Sequence, residues 1–298
     1  VRAPLYLVLA TLFWSGNFVV GQAAMRSMTP LELTFWRWAL VAVPLLLLAQ
    51  WVERPDWRAV LRRWPTLLLL SALGLSGYTL LLYSALAHTS ALNASLITAA
   101  NPALIVVMAM FMLGDRPGPV GWLGIALGLF GVLLVLTGGD LQQILHLSFN
   151  MGELLMLGAI VVWGLYTIIA RRLDVPAIAA TAVQVAMATI SLMPVALAAG
   201  AGLPDTAEGA WSLAYVALFP SFGAFLLWNL ALKSTAPAVA GNYLNLMVVF
   251  TAVITLLLGM PITVPQILGG LLVISGVLLT GMKRRTRQPA MAEQSART

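Results

Sequence analysis

The sequence contains no cysteine, which excludes a disulfide framework and a thiolate metal site and removes redox chemistry as a guide to compartment. Charge is scarce as well: Asp, Glu, Lys and Arg together make up 9% of the chain, where a soluble domain carries about a quarter. There is no Walker A sequence, no H-E-x-x-H and no histidine cluster, so an ATP-driven pump and a zinc protease are excluded. Gly138-Gly139-Asp140 superficially resembles an aspartyl intramembrane protease element, but it falls in a loop without a second mid-membrane Asp, and that chemistry needs two carboxylates. An enzyme would need a nucleophile or an acid–base pair, and the candidates Glu32, His88 and Glu153 lie on different spans near the outer surface. The chain is not read as an enzyme, and no cofactor or metal is expected.

What the chain has in abundance is apolar length. It is 61% hydrophobic over 298 residues, and about 20 mostly apolar residues span the ~30 Å hydrocarbon core of a bilayer. Ten segments qualify, near 4–24, 30–51, 65–87, 91–113, 119–137, 151–170, 177–200, 211–233, 237–259 and 264–282. Thr29-Pro30, Pro65, Pro119 and Pro265 mark helix starts. The runs lack the ten-residue alternation of a β-barrel. The first run, preceded by Arg2, is too long for an ordinary signal-peptide core and has no clean cleavage site after it, so it is read as a span.

The formal charge of +6 sits in short clusters between these runs, which is a topology signal rather than a nucleic-acid surface. With the N-terminus inside, Arg54, Arg58, Arg62, Arg63, Arg116, Arg171, Arg172, Lys233 and the Lys283-Arg284-Arg285 cluster with Arg287 all fall in the cytoplasm, and only Arg26 and Arg37 fall on the other side. Both termini are then cytoplasmic, and residues 283–298 read as a disordered cytoplasmic tail.

The chain also repeats itself. At a constant offset of 145 residues, Leu81-Leu82 falls on Leu226-Leu227, Leu113-Gly114 on Leu258-Gly259, Leu123-Gly124 on Leu268-Gly269, and Gly131 to Leu134 on Gly276 to Leu279. Residues 3–137 and 151–282 are therefore expected to be two five-helix repeats. Five is odd, so the second copy enters from the opposite side. The expectation is an all-α membrane protein of ten transmembrane helices arranged as two inverted five-helix repeats, an architecture that gives many secondary transporters two interchangeable conformations around one midplane site.

Polar side chains at mid-depth are costly unless they meet a partner or a wet cavity. Asn17, Tyr78, Asn101, Trp163 and Asn245 fall roughly 12–20 Å into their spans at 1.5 Å per residue. Tyr166 lies one turn from Trp163, and Asn242 one turn from Asn245. These seven are the candidate substrate-binding residues, with interhelical ties as the alternative role for each. Pro102 removes the hydrogen bond to the Thr98 carbonyl and kinks span four beside Asn101. Arg37, about 10 Å inside the outer face, either pairs with Glu32 or a carbonyl as a brace, or attracts a ligand carboxylate. Pro44 and Pro194 are symmetric kinks. No Asp or Glu falls at mid-depth, so a buried carboxylate relay is not visible.

At these residues the chain resembles the drug/metabolite transporter superfamily of EamA type. Phe13-Trp14-Ser15-Gly16-Asn17 is similar to the family's first-helix signature, Arg37 and Pro102 fall where the family has an Arg in helix two and a Pro in helix four, and Leu113-Gly114-Asp115-Arg116-Pro117 resembles its Gly-Glu-Arg-Pro turn with Asp for Glu. Gly259-Met260-Pro261 in the second half has lost both charges of that turn. Within the superfamily the likeness is greatest to bacterial aromatic amino-acid exporters. That resemblance implies a multi-pass bacterial inner-membrane protein exporting aromatic and other neutral amino acids by alternating access, with small metabolites or drugs as the alternative cargo. The implied partners are the small-molecule substrate and the lipid bilayer, not nucleic acid. A monomer is compatible with all of this.

Overall fold

The computed structural model describes residues 2–113, 118–140, 150–170, 173–232, 243–244 and 246–282, and every regular element among the described residues is helical. Ten of these helices are long or strongly apolar: α1 Arg2–Ala24, α2 Pro30–Val52, α3 Trp64–Leu86, α4 Ala91–Met112, α5 Pro119–Leu136, α6 Met151–Ala170, α7 Ala177–Ala198, α8 Ala207–Trp228, α9 Leu246–Leu257 and α10 Val264–Met282. Seven are long and apolar enough to cross a membrane, while α5, α9 and α10 are shorter apolar helices. The first part of the expected ninth span, the Gly114–Pro117 turn and residues 283–298 lie outside the described residues.

Local chemistry sets the helix starts. Thr29 and Glu32 form a reciprocal capping box at α2, in which the Thr29 N–H donates to Glu32 Oε2 at 2.7 Å and the Glu32 N–H donates to Thr29 Oγ1 at 3.2 Å. Ser90 caps α4, Thr206 caps α8 and the Asn150 side chain caps α6, each accepting from a backbone N–H of the first turn. A six-residue helix, Trp57–Arg62, capped by Asp56, occupies the connection between α2 and α3.

The outer surface is apolar. Val43, Leu47, Ile190 and Leu197 are exposed and project from the bundle, a coat that would drive a soluble protein to aggregate but suits contact with hydrocarbon. Trp51 and Trp64 are exposed at one end of the bundle and Trp211 at the other, as expected of interfacial aromatic anchors.

Helix partnerships follow a reciprocal scheme. α1 packs on α8 and α9, while α6 packs on α3 and α4. α2 packs against α7 along its length: Glu53, just beyond the end of α2, accepts from the Ile178 and Ala179 N–H groups at the start of α7 at 2.9 and 2.8 Å, and Phe35 near the start of α2 packs on Leu192 and Ala196 near the end of α7. The two helices therefore run antiparallel.

The tightest contact joins α5 and α10, backbone to backbone. A Cβ on Gly131 would stand 2.6 Å from the Gly269 carbonyl oxygen, and one on Gly276 would stand 2.5 Å from the Gly124 carbonyl oxygen. Gly124 with Gly269, and Gly131 with Gly276, are the pairs separated by 145 residues. One contact is thus the other with the two halves exchanged. Only glycine permits so close an approach.

Candidate functional site

Both α3 and α8 widen into a π-helical turn mid-span, at Ser71–Gly77 and Ala217–Gly223. Such turns displace the hydrogen-bond ladder and re-aim side chains, and they are frequent at functional sites. The turn in α3 leads directly into Tyr78. That ring lies 4.9 Å, centroid to centroid, from Trp163 on α6, and Trp163 stacks on Tyr166 at 5.1 Å with 29° between ring planes. Gly74 makes room, because a Cβ there would run into the Tyr166 ring. The Tyr78 hydroxyl reaches Thr98 on α4. All three aromatic residues remain half-buried, leaving ring surface available.

Asn101 follows Thr98 by three residues, hence on the same face of α4. It is buried, and its Oδ1 finds no partner. The helix is interrupted at Ala100, whose N–H turns to the Ile97 carbonyl at 3.1 Å, the consequence of Pro102 lacking an N–H. A buried amide oxygen left unsatisfied costs about 1–3 kcal/mol. A ligand donor would remove that cost.

Asn17 belongs to a second group. Its Oδ1 accepts from the Tyr83 hydroxyl at 2.9 Å, and that hydroxyl in turn accepts from Arg37 Nη1. Arg37 Nε and Nη2 both donate to Ser221 Oγ in the α8 π-turn, at 3.0 and 2.7 Å, and its guanidinium stacks over the Trp38 ring at 4.4 Å. This corrects the expectation that Arg37 braces against Glu32 or a carbonyl, since Glu32 is committed to the α2 cap and the arginine is held by neutral hydroxyls. Sequence reasoning sought a carboxylate or a carbonyl and so missed Tyr83 and Ser221. The available signal was elimination: no mid-span acid exists to pair with the arginine, which leaves hydroxyl and aromatic side chains.

The structure therefore brings Tyr78, Trp163 and Tyr166 together and sets Asn17 in the adjoining Arg37 network. Asn242 and Asn245 lie outside the described residues. A further aromatic group, in which Phe13 and Trp14 of the first-helix signature take part, packs where α1 meets α8: Phe13 against Phe219, Tyr215 against Phe219, and Trp14 against Phe225 and Trp228. Trp14 Nε1 donates to the Pro220 carbonyl at 3.1 Å.

Two crevices open at opposite ends of the bundle. One, of about 310 Å³, is lined by Arg63, Thr66, Met112, Ile168, Ile169 and Leu173, where α3 begins and α4 and α6 end. The other, of about 460 Å³, is lined by residues that include Val19, Ala23, Glu208, Trp211, Tyr215 and Leu258, where α8 begins and α1 and α9 end. Ala23 and Ile168, Arg63 and Glu208, and Thr66 and Trp211 are each 145 residues apart. The crevices occupy equivalent places in the two halves.

The end of the bundle holding the second crevice is also tied by polar contacts. Asn93 Nδ2 donates to Glu153 Oε1 at 2.9 Å and Gln266 Nε2 donates to Asn93 Oδ1 at 2.7 Å, linking α4, α6 and α10. Among the described residues no group of three His, Asp or Glu is placed to hold a metal ion.

The chain is 29% identical over 299 residues to the uncharacterized transporter YyaM of Bacillus subtilis, with 98% of each chain covered. It is 30% identical over 291 residues to an uncharacterized transporter of Archaeoglobus fulgidus, covering 95% of this chain and 98% of that one. It is also 28% identical over 293 residues to a probable terminal-alkyne amino-acid exporter of Streptantibioticus cattleyicolor, covering 96% and 94%. A solved structure described as a crystal structure of protein superimposes with a TM-score of 0.64 at 21% identity, covering 96% of this chain and all of that one, which shows a shared fold. The EamA-like transporter family model matches residues 1–137 and 150–282. A multi-pass helical chain so matched over both halves belongs to the EamA-like transporter family.

Proposed function

We propose that this transporter is a bacterial inner-membrane secondary carrier that exports amino acids, aromatic and other neutral ones, by alternating access around a midplane cavity. The domain division at 3–137 and 151–282, the inverted arrangement of those repeats and the cytoplasmic placement of both termini belong to the same proposal. The observation that carries it is the pair of crevices on opposite ends of the bundle, lined in part by residues 145 positions apart. In a duplicated bundle of this kind, the interface that closes one mouth is the counterpart of the interface that closes the other. The antiparallel α2–α7 contact and the exchanged glycine contacts of α5 and α10 support the inversion.

Support for the cargo comes from the chemistry on offer. Tyr78, Trp163 and Tyr166 supply ring faces, Asn17 and Asn101 supply amides, and Asn242 and Asn245, which precede α9 in the sequence, are the remaining members of the proposed site. This set suits a small zwitterion with an apolar or aromatic side chain. The exporter relative points to the same class of cargo. Efflux from preloaded proteoliposomes tests the reading, with labelled phenylalanine compared against a nucleoside and a cationic dye. Phenylalanine efflux that Trp163→Ala or Asn101→Ala abolishes is the expected result. Efflux of the dye or the nucleoside in preference to phenylalanine would instead establish a metabolite or drug exporter.

A further inference from the structure

Among the described residues Arg37 is the only buried Lys or Arg, and its hydrogen-bond partners, Tyr83 and Ser221, are both neutral. Hydroxyl partners satisfy N–H groups but leave a full positive charge in a low-dielectric interior, where an opposing charge is worth far more than in water. A guanidinium carries five N–H donors. Ser221 takes one from Nε and one from Nη2, and Tyr83 takes one from Nη1. One N–H remains on each terminal nitrogen, matching the two oxygens of a carboxylate.

The fold itself does not require this charge. Arg37 stands seven residues before Pro44, and the residue seven before Pro194 on the partner helix α7 is Met187, packed in the apolar core against α2. Ser76, at the 145-residue offset from Ser221, has a buried Oγ with no partner. At the 145-residue offset the counterpart of Arg37 is the buried Ala182, so by either count one half has a cation where the other has an apolar side chain. The cation and the aromatic group share a helix, since Arg37 donates to Tyr83 on α3, Tyr78 stands five residues before Tyr83 on the same helix, and Trp163 lies against Tyr78. A positive pole and a stack of ring faces thus both rest on α3.

We propose that Arg37 is the receptor for the carboxylate of the cargo, which is a small molecule bearing one carboxylate and an aromatic or other apolar group that lies against Tyr78, Trp163 and Tyr166. The inference rests on the transport reading and narrows it: an amino acid is one member of the class, and its carboxylate rather than its ammonium group is what the protein selects. Arginine offers a planar fork for two-point capture, so lysine would serve only in part.

The test uses two matched ligand pairs, phenylalanine with phenylalaninamide and 3-phenylpropionate with 3-phenylpropionamide. Each is assayed by thermal shift of the purified protein and by counterflow in proteoliposomes. In the unmodified protein each amide is expected to bind and move at least about tenfold more weakly than its acid, because the buried cation is left unanswered. Arg37→Met, which copies Met187, is expected to abolish the difference while remaining monodisperse, and Arg37→Lys to restore part of it. Equal handling of acid and amide by the unmodified protein, or a preference retained by Arg37→Met, overturns the proposal. Should Arg37→Met fail to fold, the ligand pairs on the unmodified protein decide alone. Selective binding of 3-phenylpropionate without phenylalanine transport would sink the amino-acid reading and keep the receptor; transport of phenylalanine and its amide alike would do the opposite.

Discussion

Ser76 and Ser221 stand 145 residues apart, each within a π-helical turn, and they keep different company. Ser221 is buried, donates to the Val216 carbonyl at 2.7 Å and accepts two N–H groups from Arg37. Ser76 Oγ has no partner at all. The backbone device is duplicated, but the polar chemistry is present in one copy only. Symmetry here belongs to the scaffold, and the hydrogen bonding departs from it. The crevices make the same point in charge, since Arg63 at one mouth is replaced by Glu208 at the other, where it meets Arg26 at 3.8 Å.

The largest effect is expected where symmetry is strictest. Gly276→Val would drive a side chain into the Gly124 carbonyl and the Gly128 backbone. Overpacking costs typically about 1–3 kcal/mol in a core that can shift, and a cost beyond ~3 kcal/mol is expected here because the atoms met are main chain. Size-exclusion profiles should show loss of monodisperse protein, and a well-behaved variant would break the proposed seam.

Next comes the asymmetric site. Trp163→Ala removes both ring contacts, from Tyr78 and from Tyr166, each worth about 0.5–1.5 kcal/mol beyond buried area. Efflux is expected to fall at least about tenfold while the protein remains folded and inserted. Unchanged efflux would remove Trp163 from the cavity.

The serine pair sharpens the comparison most directly. Ser221→Ala leaves two guanidinium N–H groups without an acceptor and is expected to lower stability by about 2 kcal/mol, the range for hydrogen bonds to charged groups. Ser76→Ala is expected to be neutral within about 0.5 kcal/mol or slightly stabilising, because no hydrogen bond is lost and a buried unpaired hydroxyl is removed. Equal losses in chemical denaturation of the two variants would contradict the asymmetry. The smallest effect is expected at the exposed Arg26–Glu208 pair, where Arg26→Ala should change stability by no more than about 0.5 kcal/mol.

Much of this was legible in the sequence. Apolar helices are found on the expected runs, seven of them long enough to cross a membrane and the ninth a helix over Leu246–Leu257, and the glycine register at the 145-residue offset reappears in the α5–α10 contact. Those features depend on composition and period, which are local. Tyr78, Trp163 and Tyr166 were found because helical rise alone puts them at one depth. The partners of Arg37 were not found, because a hydrogen bond between residues 184 positions apart, such as that to Ser221, depends on how α2 and α8 cross. The π-turns were invisible for a related reason. One inserted residue in a hydrogen-bond ladder leaves no mark on an apolar pattern that is hydrophobic on every side. The short Trp57–Arg62 helix had its cap, Asp56, in plain view, yet at six residues it fell below the length at which periodicity speaks.

The exchanged contacts between α5 and α10 constrain what the chain can tolerate there. A face on which Gly131 meets the counterpart of Gly124, and Gly124 meets the counterpart of Gly131, fits a second copy of itself. Bulk added to either helix therefore meets main chain on the other, and one substitution disturbs both sides of the seam.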